Sequence, residues 1–229
     1  MKASKSVRYL CQAVFALGSI LPAGIPAYGQ GVPGYPDDVR YGFDPREVAL
    51  LPRYCIYTQV FRDRVPGGNN TEEIARWSLI MGPTFNAMHH YCWGLMNTNR
   101  ALLLVRDQRW RAYHLNYSIS EFDYVIRGAP RNFRLLPEIL TKKGENLIRL
   151  DRGQDGIVEV QRAIELKPDY WPPYAAISDY YKNIGELAQA REWLEEGLSA
   201  SPNTKALMRR LAELNSPQIQ RKTEPPAER

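Results

Sequence analysis

The chain has 229 residues, of which 44% are hydrophobic and 24% are charged. This is enough apolar material for a packed core, so wholesale disorder is excluded. The net charge of +5 suggests a polyanionic partner, but no run of five or more like charges occurs in the sequence. Nucleic-acid binding is therefore not expected.

Residues 1–29 have the three-part organisation of a secretory signal peptide. Three basic residues lie within the first eight, residues 10–21 are mostly apolar, and Ala27-Tyr28-Gly29 supplies small residues before a cleavage point at Gln30. The apolar stretch is too short to cross a bilayer, which needs about 20 residues. We therefore expect export with cleavage and no stable membrane span.

Residues 30–83 are predicted to form an irregular lead-in and a helical cap. Asp44-Pro45 favours a short helix to Leu51, with Asp as N-cap and Pro at the first helical position. Pro52 predicts a second helix that runs to about Asp63. Asn70, with Glu73 three residues later, resembles a capping box and predicts a helix that ends at Gly82-Pro83.

Residues 84–136 are predicted to form a degenerate helical hairpin. One helix is expected from about Phe85 to Val105, with Gly94 as a small packing position. Its partner, from about Gln108 to Arg127, is rich in aromatic residues. A helical cap that is not a repeat is the alternative interpretation, and both would cover one end of a helical stack.

Residues 137–203 contain two units in which residue types recur after 34 positions. The aligned pairs are Gly144 with Ser178, Gly156 with Ala190, Ala163 with Gly197, Ile164 with Leu198, and Pro168 with Pro202. Small residues allow close helix contact, proline ends a helix, and repeats of this length indicate stacked units. We predict an all-α fold, a short α-solenoid of helical hairpins. Its repeat domain is expected over residues 137–215 and includes a closing helix from Asn203 to Leu214. In that helix Leu207, Met208, Leu211 and Leu214 form the apolar side, and residues 216–229 are expected to be a disordered tail.

These positions resemble the tetratricopeptide repeat (TPR). The matching residues are Gly144, Gly156, Ala163 and Pro168 in the first unit, and Tyr174, Ile177, Ser178, Tyr181, Ala190, Leu194, Gly197 and Pro202 in the second. Lys143 occupies a position that is normally aliphatic, and Gly156 replaces an alanine. The resemblance covers 67 residues and is more specific for fold than for function.

The resemblance implies that the first helix of each unit lines a concave groove. Carried over by position, the groove residues are Glu138, Thr141, Glu145, Arg149, Pro172, Ala175, Asp179, Lys182 and Asn183. Some relatives bind a C-terminal carboxylate with Lys and Asn at such places. Here Glu145 and Asp179 occupy two of them and would repel a carboxylate. We therefore expect an extended segment or a helix of another protein.

His89-His90-Tyr91-Cys92 is the string most typical of a chemical site. Cys55 and His114 could complete a metal site, since Zn²⁺ accepts such ligands, although adjacent histidines on a helix point about 100° apart. In an exported protein a disulfide between Cys55 and Cys92 is favoured, worth roughly 3–4 kcal/mol for a loop of about 37 residues. Free buried thiols and metal binding are the alternatives.

Catalysis has little support, because no nucleophile elbow, zinc-protease motif or phosphate-binding glycine loop occurs. No cofactor is expected, and the aromatic segment Asp169–Tyr174 is predicted to pack between repeats rather than bind a ligand. The sequence thus predicts an exported, periplasmic or secreted, non-enzymatic adaptor for a protein or peptide partner, used in envelope assembly or secretion. The alternatives are a metal- or redox-dependent protein based on the His/Cys string, and an enzyme subunit whose partner supplies the chemistry.

Overall fold

A computed structural model describes residues 43–216, so the predicted signal peptide, most of the lead-in and nearly all of the predicted tail lie outside the described residues. Secondary structure in this range is helical. The α-helices are α1 Pro45–Val48, α2 Thr71–Met81, α3 Met88–Asn99, α4 Gln108–Gly128, α5 Leu136–Arg149, α6 Gly153–Leu166, α7 Pro172–Asn183, α8 Leu187–Ala200 and α9 Lys205–Leu214. None of these helices has both the length and the apolar character needed to cross a membrane.

The cap begins as predicted and then departs from the prediction. The Asp44 side chain accepts a hydrogen bond from the Arg46 amide at 2.7 Å and caps α1, which ends at Val48 rather than Leu51. The predicted helix from Pro52 to Asp63 is wrong, because only a 3-10 helix over Arg53–Tyr57 forms. Thr58 is extended and its hydroxyl donates to the Cys55 carbonyl at 2.7 Å, the acceptor that a continuing helix would need.

Helix α2 begins and ends where the sequence predicted. The Asn70 side chain accepts from the Glu73 amide at 3.1 Å, and Gly82, at φ 61°, ends the helix. The Glu73 carboxylate does not complete a capping box. It accepts instead from the Trp77 indole at 3.0 Å, which holds that ring against the core.

The predicted helix from Phe85 to Val105 has three geometries in succession. A 3-10 helix over Gly82–Ala87 leads into α3, and a π-helix over Arg100–Leu104 follows. Asp107 is the N-cap of α4, and its carboxylate accepts from two backbone amides at 2.9 and 3.1 Å. α3 and α4 pack together, and Gly94 is required there because a Cβ atom would overlap the Phe122 ring.

The repeats pair through small residues, as predicted. A Cβ atom on Gly144 would lie 2.6 Å from the Gly156 carbonyl oxygen, and one on Gly156 would lie 2.6 Å from the Gly144 carbonyl oxygen. Ala163 and Ala190 are fully buried. The backbones of α5 and α6 therefore meet where no larger side chain would fit.

Helix α9 closes the array with two differences from the prediction. Asn203 is not the N-cap. It adopts φ 64° in the turn, a conformation that asparagine tolerates, and Thr204 precedes the helix. Leu207 and Leu214 are buried, whereas Met208 is 52% exposed, because among the described helices only α7 and α8 pack against α9.

Two larger cores organise the described chain. The first joins the cap, α3, α4 and the start of α5, and includes the disulfide between Cys55 and Cys92, with sulfurs 2.07 Å apart and both residues fully buried. The second joins α7, α8 and α9 around Tyr174 and Leu194. The disulfide links the 3-10 segment of the cap covalently to α3.

Lys143, which occupies a normally aliphatic position of the first repeat, forms ion pairs with two neighbouring helices. Its ammonium group lies 2.7 Å from an Asp123 oxygen of α4 and 2.8 Å from a Glu159 oxygen of α6. Burial opposes the charge, but these two carboxylates raise the pKa of Lys143 above its usual value. A lysine therefore replaces the aliphatic residue here because it links three helices.

Candidate interaction surface on the first helices of the repeats

Helices α5, α7 and α9 lie side by side, since α5 packs against α7 and α7 against α9. We call the surface formed by their polar side chains the first-helix face. Its charged and amide side chains are Glu138, Lys142, Glu145, Arg149, Asp179, Lys182, Asn183 and Arg210. Six of these eight residues are half-buried, and Arg149 and Asn183 are exposed.

Glu145 is neutralised within its own helix. One of its oxygens lies 3.1 Å from the Lys142 ammonium and 3.5 Å from the Arg149 guanidinium. These spacings of three and four residues place all three side chains on one side of α5. Such solvated pairs add little stability, typically about 0.2–1 kcal/mol, so they remain free to exchange partners.

Asp179 is neutralised from two helices. Arg210 of α9 lies 3.2 Å from its carboxylate, and Lys182 of α7 lies at 3.7 Å. The prediction that Glu145 and Asp179 repel a carboxylate treated both acids as unpaired. Each has two bases beside it, so the repulsion is much weaker than expected.

Thr141 does not contribute to this surface, and its assignment to the groove is wrong. It is 1% exposed, and its hydroxyl donates to the Pro137 carbonyl at 2.7 Å. Ala175, at the equivalent position of the next unit, is 3% exposed. Pro172 is half-buried at the start of α7, and Asn183 is exposed at its end.

The residues that the sequence analysis missed are Lys142, Tyr170 and Arg210. Arg210 follows Asp179 by 31 residues and lies in the helix interpreted only as a closing cap. At the 34-residue interval Arg210 corresponds to Ala176 and Lys142, and the resemblance assigned neither of these positions to the groove. Tyr170 was assigned to packing, yet it is only half-buried.

Glu138 lies at the other end of this face, in the first turn of α5. It is half-buried, and its Oε1 accepts a hydrogen bond from the Tyr91 hydroxyl at 2.6 Å. Burial, then the negative charges of Glu138 and Glu145, raise the pKa of Tyr170 above its usual value.

The aromatic segment Asp169–Tyr174 packs between repeats, as predicted, at its last residue. Tyr174 is 2% exposed and its hydroxyl donates to the Pro168 carbonyl at 2.9 Å. Trp171 is half-buried against the second core. The packing interpretation therefore holds for Tyr174 and Trp171, while Tyr170 is only half-buried.

The His/Cys string does not converge on one site. Both cysteines are in the disulfide, and His114 is fully buried with its Nδ1 2.7 Å from the Asn97 side-chain oxygen. His90 bonds Glu121 at 2.7 Å, and its ring stacks on Tyr124 at 3.8 Å. Within residues 43–216 no three His, Cys, Asp or Glu side chains are placed to hold a metal ion.

His89 and His90 instead line a cleft of about 770 Å³ between the cap and α4. The Nδ1 atom of His89 lies 3.1 Å from the Asn86 carbonyl, and burial followed by the charge of His90 lowers the pKa of His89. Tyr124 and Arg127 form the opposite wall. This cleft lies on the first hairpin, away from α7 and α9.

Comparison with known proteins found partial matches. No protein-family model matches the sequence. The sequence is 28% identical over 92 residues to the Protein STIP1 homolog of Dictyostelium discoideum, a match that spans 40% of this chain and 16% of that protein. A solved structure, the first TPR of Spaghetti (RPAP3) bound to the HSP90 peptide SRMEEVD, matches with a TM-score of 0.39 and 15% identity. This match covers 54% of the chain and 94% of that structure.

The geometry of residues 136–214 has the features on which the resemblance was based. Each unit is a pair of helices joined by a short turn, glycine and alanine lie where the pair touches, and a proline follows each second helix. The predicted resemblance to tetratricopeptide-repeat proteins is confirmed, and the described chain has an all-α, TPR-like fold.

Proposed function

We propose that this chain is a non-enzymatic adaptor that binds a protein or peptide partner on its first-helix face. We further propose that it acts after export, in the periplasm or outside the cell, in assembly or secretion of envelope components. The export part is based on the sequence of residues 1–29 and on the buried disulfide, a bond that persists in oxidising compartments.

The observation that supports binding at this face is its continuous row of half-exposed charges. Three neighbouring helices contribute acids and bases whose ion pairs connect side chains on the same surface, including Arg210 of α9 with Asp179 of α7. Partner groups can replace these solvated contacts at small cost. The hydrophobic groups of the same helices are largely turned into the cores, so the face is suited to a mixed-charge segment.

An extended peptide with charged side chains fits this arrangement better than a partner protein with a flat apolar surface would. Charged pairs from successive helices can accept alternating charges along a segment, which favours specificity and a fast on-rate more than high affinity. The binding that we propose is therefore reversible and dependent on salt concentration.

The test is crosslinking in intact cells, followed by identification of captured proteins. The variant replaces Glu145, Arg149, Asp179 and Lys182 together with alanine, and we expect specific capture to fall to background. A matched control replaces Arg162, Glu165, Lys167 and Glu195, which are exposed on or just after the second helices. The control should capture partners as the unmodified chain does. Equal capture by both variants and the unmodified chain would move the contact away from the first-helix face.

A further inference from the structure

The cleft between the cap and α4 is not used by the proposed function. Its volume of about 770 Å³ is in the range of small-ligand sites. Its walls come from Gln59 of the cap, the 3-10 helix over Gly82–Ala87, the start of α3 and the end of α4. The described residues that line it include two histidines and one arginine but no Asp or Glu. An anion that enters this cleft therefore meets basic groups without an acid beside them.

Both histidines of the cleft are oriented through Nδ1. The Nδ1 atom of His89 donates to the Asn86 carbonyl at 3.1 Å, because a carbonyl oxygen can only accept. The Nδ1 atom of His90 donates to the Glu121 carboxylate at 2.7 Å. Neither Nε2 atom bonds to any of the described residues. Each ring can therefore take a proton on Nε2 and donate it to a ligand without losing the bond that holds the ring.

Ring contacts make the histidines one continuous wall. The centroids of His89 and His90 lie 4.2 Å apart, and the His90 ring stacks on Tyr124 at 3.8 Å. Glu121 does not line the cleft, and its side chain is 14% exposed behind its bond to His90. Its charge weakens the attraction of this wall for an anion. The arrangement therefore needs a cation on the other wall to bind an anion well.

Arg127 supplies that cation. It is exposed in the last turn of α4, where the negative end of the helix dipole favours a base. The dipole does not satisfy its N–H donors, and the guanidinium has no ion-pair or hydrogen-bond partner within residues 43–216. Arg131 and Arg134 follow, both exposed, and no acidic residue occurs between Asp123 and Glu138. The positive charge at this end of α4 is thus not neutralised by acids nearby in sequence.

We propose that this cleft binds an anionic oxygen group, a carboxylate or a phosphate, of a small ligand. Arg127 binds the oxygens through its forked N–H groups, and the protonated rings of His89 and His90 donate from Nε2. The site lies on the first hairpin, so it is a second site that does not depend on the proposed function. Because the anion favours the protonated rings, anion binding and protonation of these histidines strengthen each other.

The experiment follows the histidine ring signals by NMR during pH titrations in sodium chloride, sulfate or acetate at equal ionic strength. Sulfate stands for a phosphate group and acetate for a carboxylate, and both keep their charge where histidine titrates, near pH 6.5. The chain has three histidines, so His89→Gln and His90→Gln assign all three signals. His114 is fully buried and does not line the cleft, which makes it the internal control.

We expect sulfate or acetate to raise the titration midpoint of His89 or His90 by roughly 0.5–1 pH unit relative to chloride. The midpoint of His114 should not change. Arg127→Gln should reduce the rise by about half or more, since it removes the permanent charge of the cleft. Arg109→Gln is the matched control, because it removes the same charge from an exposed arginine at the other end of α4. The anion that gives the larger rise identifies the oxygen group that fits better.

The contrary outcomes are distinct. Equal midpoints in all three salts would overturn the site. The same rise in Arg127→Gln as in the unmodified chain, or an equal loss in both arginine variants, would also overturn it, because binding would then depend on net charge alone.

The quadruple first-helix variant separates this site from the proposed function. It should respond to the anions as the unmodified chain does, even where it no longer captures a partner. Loss of the anion response in that variant would place the anion on the first-helix face and overturn the cleft site. Far-UV circular dichroism checks that each variant is folded before titration.

Discussion

Residues 43–135 and residues 136–214 are held together by different interactions. In the repeats, helices meet through glycine and alanine, and the buried groups are mainly apolar. In the first region the interior also contains the ion pair of Arg100 with Glu47, the disulfide, and the contact of His114 with Asn97. The first region is thus stabilised by specific polar and covalent contacts between segments that are far apart in sequence.

A polar network connects the two regions. The Asn146 amide of α5 donates to the Thr98 hydroxyl of α3 at 2.7 Å and to the Ser118 hydroxyl of α4 at 2.9 Å. Ser118 in turn donates to the Gly94 carbonyl at 2.7 Å. All of these groups are buried, so a shift of the first hairpin against α5 would leave donors unpaired in the core. The network therefore determines how the irregular hairpin is placed against the first repeat.

Regular repeats thus need little beyond close packing, whereas an irregular cap needs partners that match one another. Packing against small residues tolerates no added volume. A buried ion pair tolerates no loss of one member, since the remaining charge is left in a medium of low polarity. Substitutions should therefore destabilise the two regions in different ways.

The largest effect is expected at the buried ion pair. Arg100 is 0% and Glu47 is 4% exposed, and the guanidinium Nη2 lies 2.8 Å from a Glu47 oxygen. Arg100→Met should lower the free energy of unfolding by roughly 3–5 kcal/mol, because it leaves the carboxylate buried without the guanidinium. The double variant Arg100→Met, Glu47→Leu should recover most of this loss. Urea denaturation of all three proteins measures it, and a double variant as unstable as the single one would contradict the interpretation.

The next effect is a pH dependence from His114. Burial chiefly, and the charge of Arg100 next, lower the pKa of His114 to about 4, against about 6.5 in an unfolded chain. Between these values the unfolded state binds more protons, so stability is complete above about pH 6.5 and falls as the pH drops toward 4. The loss should reach roughly 3 kcal/mol.

Carboxylates also titrate near the lower limit of this range, so the comparison needs a variant. His114→Gln should unfold with a flatter pH profile between pH 6.5 and 4, measured by urea denaturation at each pH. His89→Gln is the control for a partly exposed histidine and should change the profile less. Parallel profiles for the unmodified chain and His114→Gln would show that His114 titrates normally.

The smallest effect is expected in the repeats. Gly144→Ala places a methyl group 2.6 Å from the Gly156 carbonyl oxygen and against the Val160 side chain, and should cost about 1–3 kcal/mol. Gly128→Ala is the matched control, since its Cβ would meet no atom within 4 Å. The control should be neutral or stabilise by up to about 1 kcal/mol through helix propensity. Thermal unfolding measures both, and equal midpoints would disprove the close approach of α5 and α6.

Prediction of the candidate site from the sequence was partial. Position within the repeat identified Glu145, Asp179, Lys182 and Asn183, because each helical position has a constant orientation in a regular unit. It failed at Thr141, whose hydroxyl bonds its own helix, and it missed Arg210, which corresponds to Ala176 and Lys142 in the 34-residue register. It also treated Glu145 and Asp179 as unpaired acids. The ion pair of Asp179 with Arg210 joins two helices and is visible only in three dimensions.

The amino-acid sequence alone determined the hairpins, their turns and the small-residue contacts, because these depend on residues that recur at the same positions of successive units. It also determined the starts of α1 and α2 through Asp44 and Asn70, since a cap acts on amides two or three residues away. Only the tertiary structure decided the 3-10 segment at residues 53–57, the π-helix that begins at Arg100, and the pairing of Arg100 with Glu47. These depend on partners tens of residues apart, whose meeting no local pattern encodes.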